Sequence, residues 1–511
     1  MATIMPTRNV LDALDVSESD PPANGTNSGA KSSLVQLPVE ILLRITRHLT
    51  TVELGNVRLT CRALERATFN SFSHEFFRKK QFMATSFSLQ ALVDISKHPT
   101  LSPYLKHVII STHRPCLAQE IGSFGPTEEQ VHNTLLANAD HMHLLSTGML
   151  RDMLAEAFSN LRNLETVDIR NFNSRTRFRD NSEWRSYGAA LLQSMTGMRP
   201  GPSPFSYDDT YISQLFAAVT AALAAAHARP KNLEVLTRST FDRWGQFALQ
   251  DSAFYVPPRI ASSMESLLSN LESLHLTLEL GKPRRRVFML QKFLSLAPNL
   301  TWLRLNFMNN ATWDDAGLIL PWLAKAPGQP VSSAFETPPI TFTRLERFDI
   351  GNVNVLIDQV LPLFHKFAPT LRHVSFRRVS LVEKERRGNK LTNSWIGFLK
   401  ALLKIPNLNL KIIDLSGLHV QCEGYTFLVG FTDPDSMCLS REWQCSASSM
   451  TMEKAIERAI RAVNSEFSIP TSVDDDDEED ESGDDHSEDE EDEDEQGSEG
   501  ADEDDGENGA D

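Results

Sequence analysis

Apolar residues in the stretch "LPVEILLRITRHL", residues 37–49, recur at helical spacing. At about 100° per residue, Pro38, Ile41, Leu42, Ile45 and Leu49 share one stripe, and Val39 and Leu43 widen it. The apolar arc spans roughly 200°, against the roughly 100° expected of a helix resting on a single core. Glu40, Arg44, Arg47 and His48 are confined to the remainder. The pattern predicts a short helix with two apolar neighbours. Pro38 suits its first turn, where a backbone N–H has no intrahelical acceptor. The next stretch, "TTVELGNVRLTCRALERA", sets Leu54, Val57, Leu59, Cys61, Leu64 and Ala67 on the faces of two more short helices. Thr51 and Thr60 are the expected N-caps.

From about residue 100 the period changes. A frame of the form L-x-x-L-x-L, with Val, Ile or Phe substituting, recurs at Leu105/Val108/Ile110, Leu164/Val167/Ile169, Leu271/Leu274/Leu276, Leu300/Leu303/Leu305, Leu345/Phe348/Ile350, Leu371/Val374/Phe376 and Leu410/Ile413/Leu415. Leu233/Leu236 is a poorer copy, because Arg238 takes the third place. Alternation in the last pair predicts a short strand with one buried face. Helical spacing fills the intervals 287–297, 356–367 and 395–403, and Pro298, Pro369 and Pro406 end those helices before the next strand. Copies begin 26 to 69 residues apart, so the repeat is irregular. Two insertions are expected, near 112–150 and 174–230, the second containing an Ala-rich helix over 210–227. An amphipathic helix over 451–467 is the expected cap of the array.

This alternation resembles the leucine-rich repeats, although the Asn or Cys that closes their consensus is mostly missing. The N-terminal helices resemble an F-box: Leu37-Pro38, Glu40-Ile41-Leu42, Ile45, Leu49, Leu54, Val57, Arg58, Cys61, Arg62 and Leu64 match its order and spacing, with Leu64-Glu65 where the family often has Trp. The expected fold is α+β: a disordered arm over 1–33, a small all-helical F-box over 34–80, an irregular α/β leucine-rich-repeat solenoid over 81–467 and a disordered acidic tail over 468–511. In the F-box family such helices insert into the Skp-type adaptor of a cullin–RING ubiquitin ligase, and the C-terminal part recruits the protein to be ubiquitinated. The resemblance implies adaptor contacts at Leu37, Pro38, Ile41, Leu42 and Leu54. It leaves Ile45, Leu49, Val57 and Leu64 to pack internally.

Charge divides the chain unevenly. Residues 474–511 carry 25 Asp and Glu and no Lys or Arg; residues 1–473 carry 43 acids against 50 bases, a net charge of +7. Such a tail buries too little apolar surface to fold. It is expected to solvate, to compete with an acidic substrate, or to engage a basic partner. Basic residues cluster at Arg78-Lys79-Lys80, at Arg175, Arg177 and Arg179, at Arg284, Arg285 and Arg286, at Arg377 and Arg378, and at Lys384, Arg386, Arg387 and Lys390. Of these, Arg284–Arg286 with Arg377 and Arg378 are the expected receptors of an acidic or phosphorylated segment, gathered on loops after strands.

No phosphate-binding Gly loop, HExxH or GxSxG occurs, so no catalytic residue and no cofactor is expected. His141 and His143 lack the neighbours of a metal site and read as loop histidines. Five scattered cysteines without a CxxC pair fit a reducing compartment, nucleus or cytoplasm. Cys438 and Cys445 read as buried apolar residues. No membrane partner is expected, and the acidic tail argues against nucleic acid. The alternative to a ligase subunit is a ubiquitin-independent binding or chaperone protein for basic nuclear proteins.

Overall fold

The computed structural model describes residues 33–468 except 116–124, 175–178, 180, 182, 202–209, 239–247, 281–286, 309–312, 328–336, 384–389, 423 and 434–436. The expected arm and tail therefore lie outside the described residues.

Three helices come first: α1 (Val39–Arg47), α2 (Thr51–Thr60) and α3 (Arg62–Phe77). Helix α2 opens on a capping box in which the Thr50 hydroxyl accepts from the Glu53 N–H and the Glu53 carboxylate accepts from the Thr50 N–H. Helix α3 opens at Cys61 with no side-chain cap. The caps are thus Thr50 and Cys61 in place of Thr51 and Thr60. The reason is local: Thr50 stands three residues before a Glu, the spacing a capping box needs.

Nine parallel strands follow. They are β1 (Lys79–Met83), β2 (His107–Ser111), β3 (Thr166–Arg170), β4 (Asn232–Leu236), β5 (Ser273–Leu278), β6 (Trp302–Phe307), β7 (Arg347–Val355), β8 (His373–Val382) and, after the short β9 (Lys390–Thr392), β10 (Ile412–Ser416). Each pairs with the next in chain order, β10 joining β8. Sequential order is the mark of a stacked repeat array.

Helices occupy the connections: α4 (Ser86–Lys97), α5 (Glu128–Thr147), α6 (Met149–Asn160), α7 (Ala189–Thr196), α8 (Tyr211–Ala225), α9 (Ala261–Leu268), α10 (Phe288–Ser295), α11 (Trp313–Ala324), α12 (Ile357–Phe367) and α13 (Ser394–Leu402). They stack against one another as the strands do, α4 on α6, α6 on α8, α8 on α9 and α12 on α13. The core lies between the two layers. Leu303 and Phe348 of the sheet meet Leu323, Leu363 and Phe367 of the helices, and Phe376 packs on Phe364 and Phe398.

The far edge is closed by β11 (His419–Cys422) and β12 (Tyr425–Leu428), the short pair β13 (Phe431–Thr432) and β14 (Leu439–Ser440), and β15 (Glu442–Ser446), antiparallel to β10. Helix α14 (Met452–Ala462) covers β15 with Ala455, Ile456, Ala459 and Ala462, and β16 (Glu466–Ser468) returns to β9. The cap is therefore a helix plus a reversed strand, and the helix ends five residues before the expected 467.

Several expectations are corrected. Strand β1 and helix α4 form a first repeat that the frame did not register: Phe82 stands opposite Ile110 in the inward row, but Lys80 takes the place of the frame's middle leucine, opposite Val108. In β4 the inward pair is Leu233 and Val235, not Leu233 and Leu236. The Ala-rich helix α8 lies in the connection from β3 to β4, largely buried and packed on α6 and α9. Cys438 is exposed, while Cys445 is buried on β15. His141 and His143 lie within α5; His141 is buried, its Nδ1 paired with the Ala84 carbonyl.

Candidate functional site

Helix α1 buries only Leu42 and Thr46, one turn apart. These face α3, and the Thr46 hydroxyl is satisfied by donating to the Leu43 carbonyl. Because that inward edge is so narrow, the rest of the apolar arc is left out. Pro38, Val39, Ile41 and Ile45 are exposed, Ile41 and Ile45 at 40% each. Residues three and four apart share a helix face, so Pro38, Ile41 and Ile45 form one uncovered apolar stripe. On α2, Leu54 points inward at 3% exposure, whereas Val52 and Leu59 stand out at 72% and 79%.

Of the expected adaptor contacts, Leu42 and Leu54 are buried within the helical module, at 4% and 3% exposure. Leu37 is half-buried, and Pro38 and Ile41 are exposed. Ile45, expected inside, is outside. Leu49 and Val57 are half-buried and Leu64 is buried. Arg58 seals the α2–α3 seam: its guanidinium lies 3.7 Å from the Phe72 ring centre and 3.9 Å from Glu65. Burial lowers its pKa and Glu65 opposes the shift.

The module is joined tightly to the repeats. Only Arg78 separates α3 from β1. Arg179 is buried and reaches back to the module, donating to both Glu75 carboxylate oxygens and to the Thr46 and Leu49 carbonyls. Those carbonyls end α1, where a cation offsets the helix dipole. Phe76 packs on Trp184, and Tyr104 donates to Asn70. Arg179 is thus a structural clamp and not part of a free basic cluster.

The second candidate surface is the face of the sheet opposite the helices. Parallel register lines up one row across it: Asp168, Glu234, His275, Arg304, Asp349, Ser375 and Asp414. In its centre Arg347 and Arg304 share Asp349, at 3.0 and 3.6 Å, and Arg347 lies over the Trp302 ring. The Arg304 pKa is lowered by burial, with Asp349 opposing and Arg347 and Arg377 adding to the fall. Toward β10, His373 pairs with Asp414 at 2.6 Å.

Arg377 and Arg378 are exposed, but they lie within β8 and not on a loop after it. Arg378 has a φ of 52°, beside Asn352 of β7 with the same φ, and the register between the two strands is unchanged across them. The paired left-handed residues shift the inward positions from Ile350 and Phe376 to Val353 and Val379. Gly351 permits the close approach there, since a Cβ would stand 2.6 Å from Asn306 Oδ1. Arg284, Arg285 and Arg286, with Arg175, Arg177, Lys384, Arg386 and Arg387, lie outside the described residues.

With this geometry in view, the comparisons divide the chain. Residues 34–79 match the F-box-like family model. They are an F-box-like domain. No curated protein matches the chain. Among solved structures, a chain of the yeast Rad7–Elc1 complex is similar at 12% identity, over 78% of this chain and 93% of that one, with a TM-score of 0.21. A score that low carries no argument about fold or function. The domain that follows is α/β and solenoid-like, its parallel strands paired in chain order and its connections filled by helices.

Proposed function

We propose that this chain is the substrate-receptor subunit of a Skp–cullin–F-box ubiquitin ligase. The F-box docks on a Skp-type adaptor and, through it, on the cullin–RING assembly; the repeat domain recruits the protein to be ubiquitinated. The observation that carries this reading is the uncovered stripe Pro38–Ile41–Ile45 on a helix whose inward edge is already filled. Covering apolar surface contributes about 25 cal/mol per Å², and Val39, Val52 and Leu59 extend the surface available. The half-buried Arg304 and Arg347 and the exposed Arg377 suit an acidic segment of the recruited protein. The chain itself performs no bond chemistry in this reading. It raises the local concentration of a substrate lysine beside the charged ubiquitin carrier.

Co-expression with a Skp-type adaptor tests the proposal. The wild-type chain is expected to co-purify with the adaptor at one to one. Ile41→Asp and Ile45→Asp together are expected to abolish capture while the chain keeps its circular dichroism, because both side chains are already in water. Capture indifferent to these changes, or no capture by the wild type, would end the ligase reading.

A further inference from the structure

On the sheet face opposite the helices, His107 of β2, Asp168 of β3 and Glu234 of β4 converge. Their ligand atoms all lie within 4.8 Å of one another. Asp168 has no exposure at all. His107 Nε2, Asp168 Oδ1 and, from β5, His275 Nδ1 are buried without a hydrogen-bond partner. Buried polar atoms left unpaired are rare in native proteins, and an unplaced ion is one of the few explanations.

The spacings fit an ion better than a hydrogen-bond network. His107 Nε2 is 3.5 Å from Asp168 Oδ2, and His275 Nδ1 is 3.6 Å from Glu234 Oε1. Both are too long for a hydrogen bond. The second is close to the ~3.3 Å that separates two ligands on a tetrahedral zinc ion with bonds of about 2.0–2.1 Å; in the first, Asp168 Oδ2 is the oxygen that Arg170 holds, and Oδ1 is the ligand atom left. Surrounding groups hold the ligands as outer partners do in metal sites. Arg170 donates Nε to Asp168 Oδ2, leaving Oδ1 unpaired, and its other end is 3.9 Å from Glu234 Oε2, the oxygen turned from His275. Ser273 Oγ pairs with His275 Nε2 at 3.0 Å, so Nδ1 is the nitrogen left toward Glu234.

We propose that His107, Asp168 and Glu234 bind one divalent ion of the zinc class, with His275 as the nearest candidate for the fourth position. Imidazole and carboxylate donors without thiolate suit zinc among the common divalent ions. The ion would fasten the first strands of the array together on the face where the helices give no cover. This site is independent of adaptor binding.

The test uses the full-length chain, stripped with a chelator and titrated with zinc against a chromophoric competitor. One equivalent is expected to bind, and X-ray absorption at the zinc edge is expected to show nitrogen and oxygen ligands at about 2.0–2.1 Å. His107→Gln and Glu234→Gln are each expected to weaken binding at least about tenfold. His373→Gln, which removes the histidine paired with Asp414 on the same face, is expected to leave it unchanged. Failure of the wild type to bind, a sulfur shell near about 2.3 Å, or variants that bind as the wild type does would each overturn the proposal. Should a variant misfold, the wild-type absorption spectrum still decides.

Discussion

Leu42 and Ile45 sit three residues apart on one helix and belong to different surfaces. The sequence pattern placed both on a single apolar stripe, because a helical wheel records only angle. The structure divides them by what stands opposite: α3 meets the Leu42–Thr46 edge, and Thr46 is polar, so hydrophobicity alone could not point to that edge. The surplus of apolar surface was legible; its division was not. The division yields a paired prediction. Leu42→Ala is expected to lower stability by about 2–5 kcal/mol, as for buried leucines elsewhere. Ile45→Ala is expected to stay within about 0.5 kcal/mol, as for exposed positions, yet to weaken adaptor capture. Denaturant unfolding and co-purification on the same two variants check both halves. Equal destabilisation would return Ile45 to the core.

At the scale of elements, the strands were easier to read than their outward rows. Inward residues such as Val108, Val167 and Leu274 repeat a frame within six residues, so each strand announces itself locally. The outward row Asp168–Glu234–His275 exists only through cross-strand register, across segments 66 and 41 residues apart. Nothing local links those side chains, which is why no metal set was expected from sequence. The capping box of α2 shows the local case, where Thr50 and Glu53 are three residues apart. Thr50→Ala is expected to cost about 1 kcal/mol. Its hydrogen bonds also hold the Glu53 carboxyl below its ordinary 4.5, first through the Thr50 backbone N–H and then its hydroxyl. A carboxylate with a depressed folded pKa stabilises above its unfolded value and loses that contribution as pH falls through the folded one. Unfolding followed from pH 7 down through pH 4.5 is therefore expected to show an acid loss that Glu53→Gln removes. An identical acid limb in the variant would contradict the role of this cap.

At the scale of the whole repeat-bearing unit, the F-box is fused to the solenoid and not tethered to it. Sequence suggested a boundary near residue 80, and a boundary by composition alone allows a hinge. The structure puts one residue, Arg78, between α3 and the first strand, and adds three crossing contacts that sequence separation concealed. Tyr104 reaches Asn70, Trp184 packs on Phe76, and Arg179 binds Glu75 and the end of α1 across more than a hundred residues. A receptor that presents a substrate to a remote carrier gains from such a joint, because orientation multiplies the effect of proximity. Arg179→Ala with Trp184→Ala should loosen it. The Pro38–Ile41–Ile45 stripe is untouched by that pair, so adaptor capture is expected to stay within about twofold, under 0.5 kcal/mol. Amide hydrogen exchange in α1 and α3 is expected to speed up, since local opening is easiest where few buried contacts hold an element. Exchange would remain slow in β5–β8, far from the joint. Unchanged protection in α1 and α3 would show that the direct α3–β1 connection alone fixes the F-box, and that the Arg179 clamp adds nothing to it.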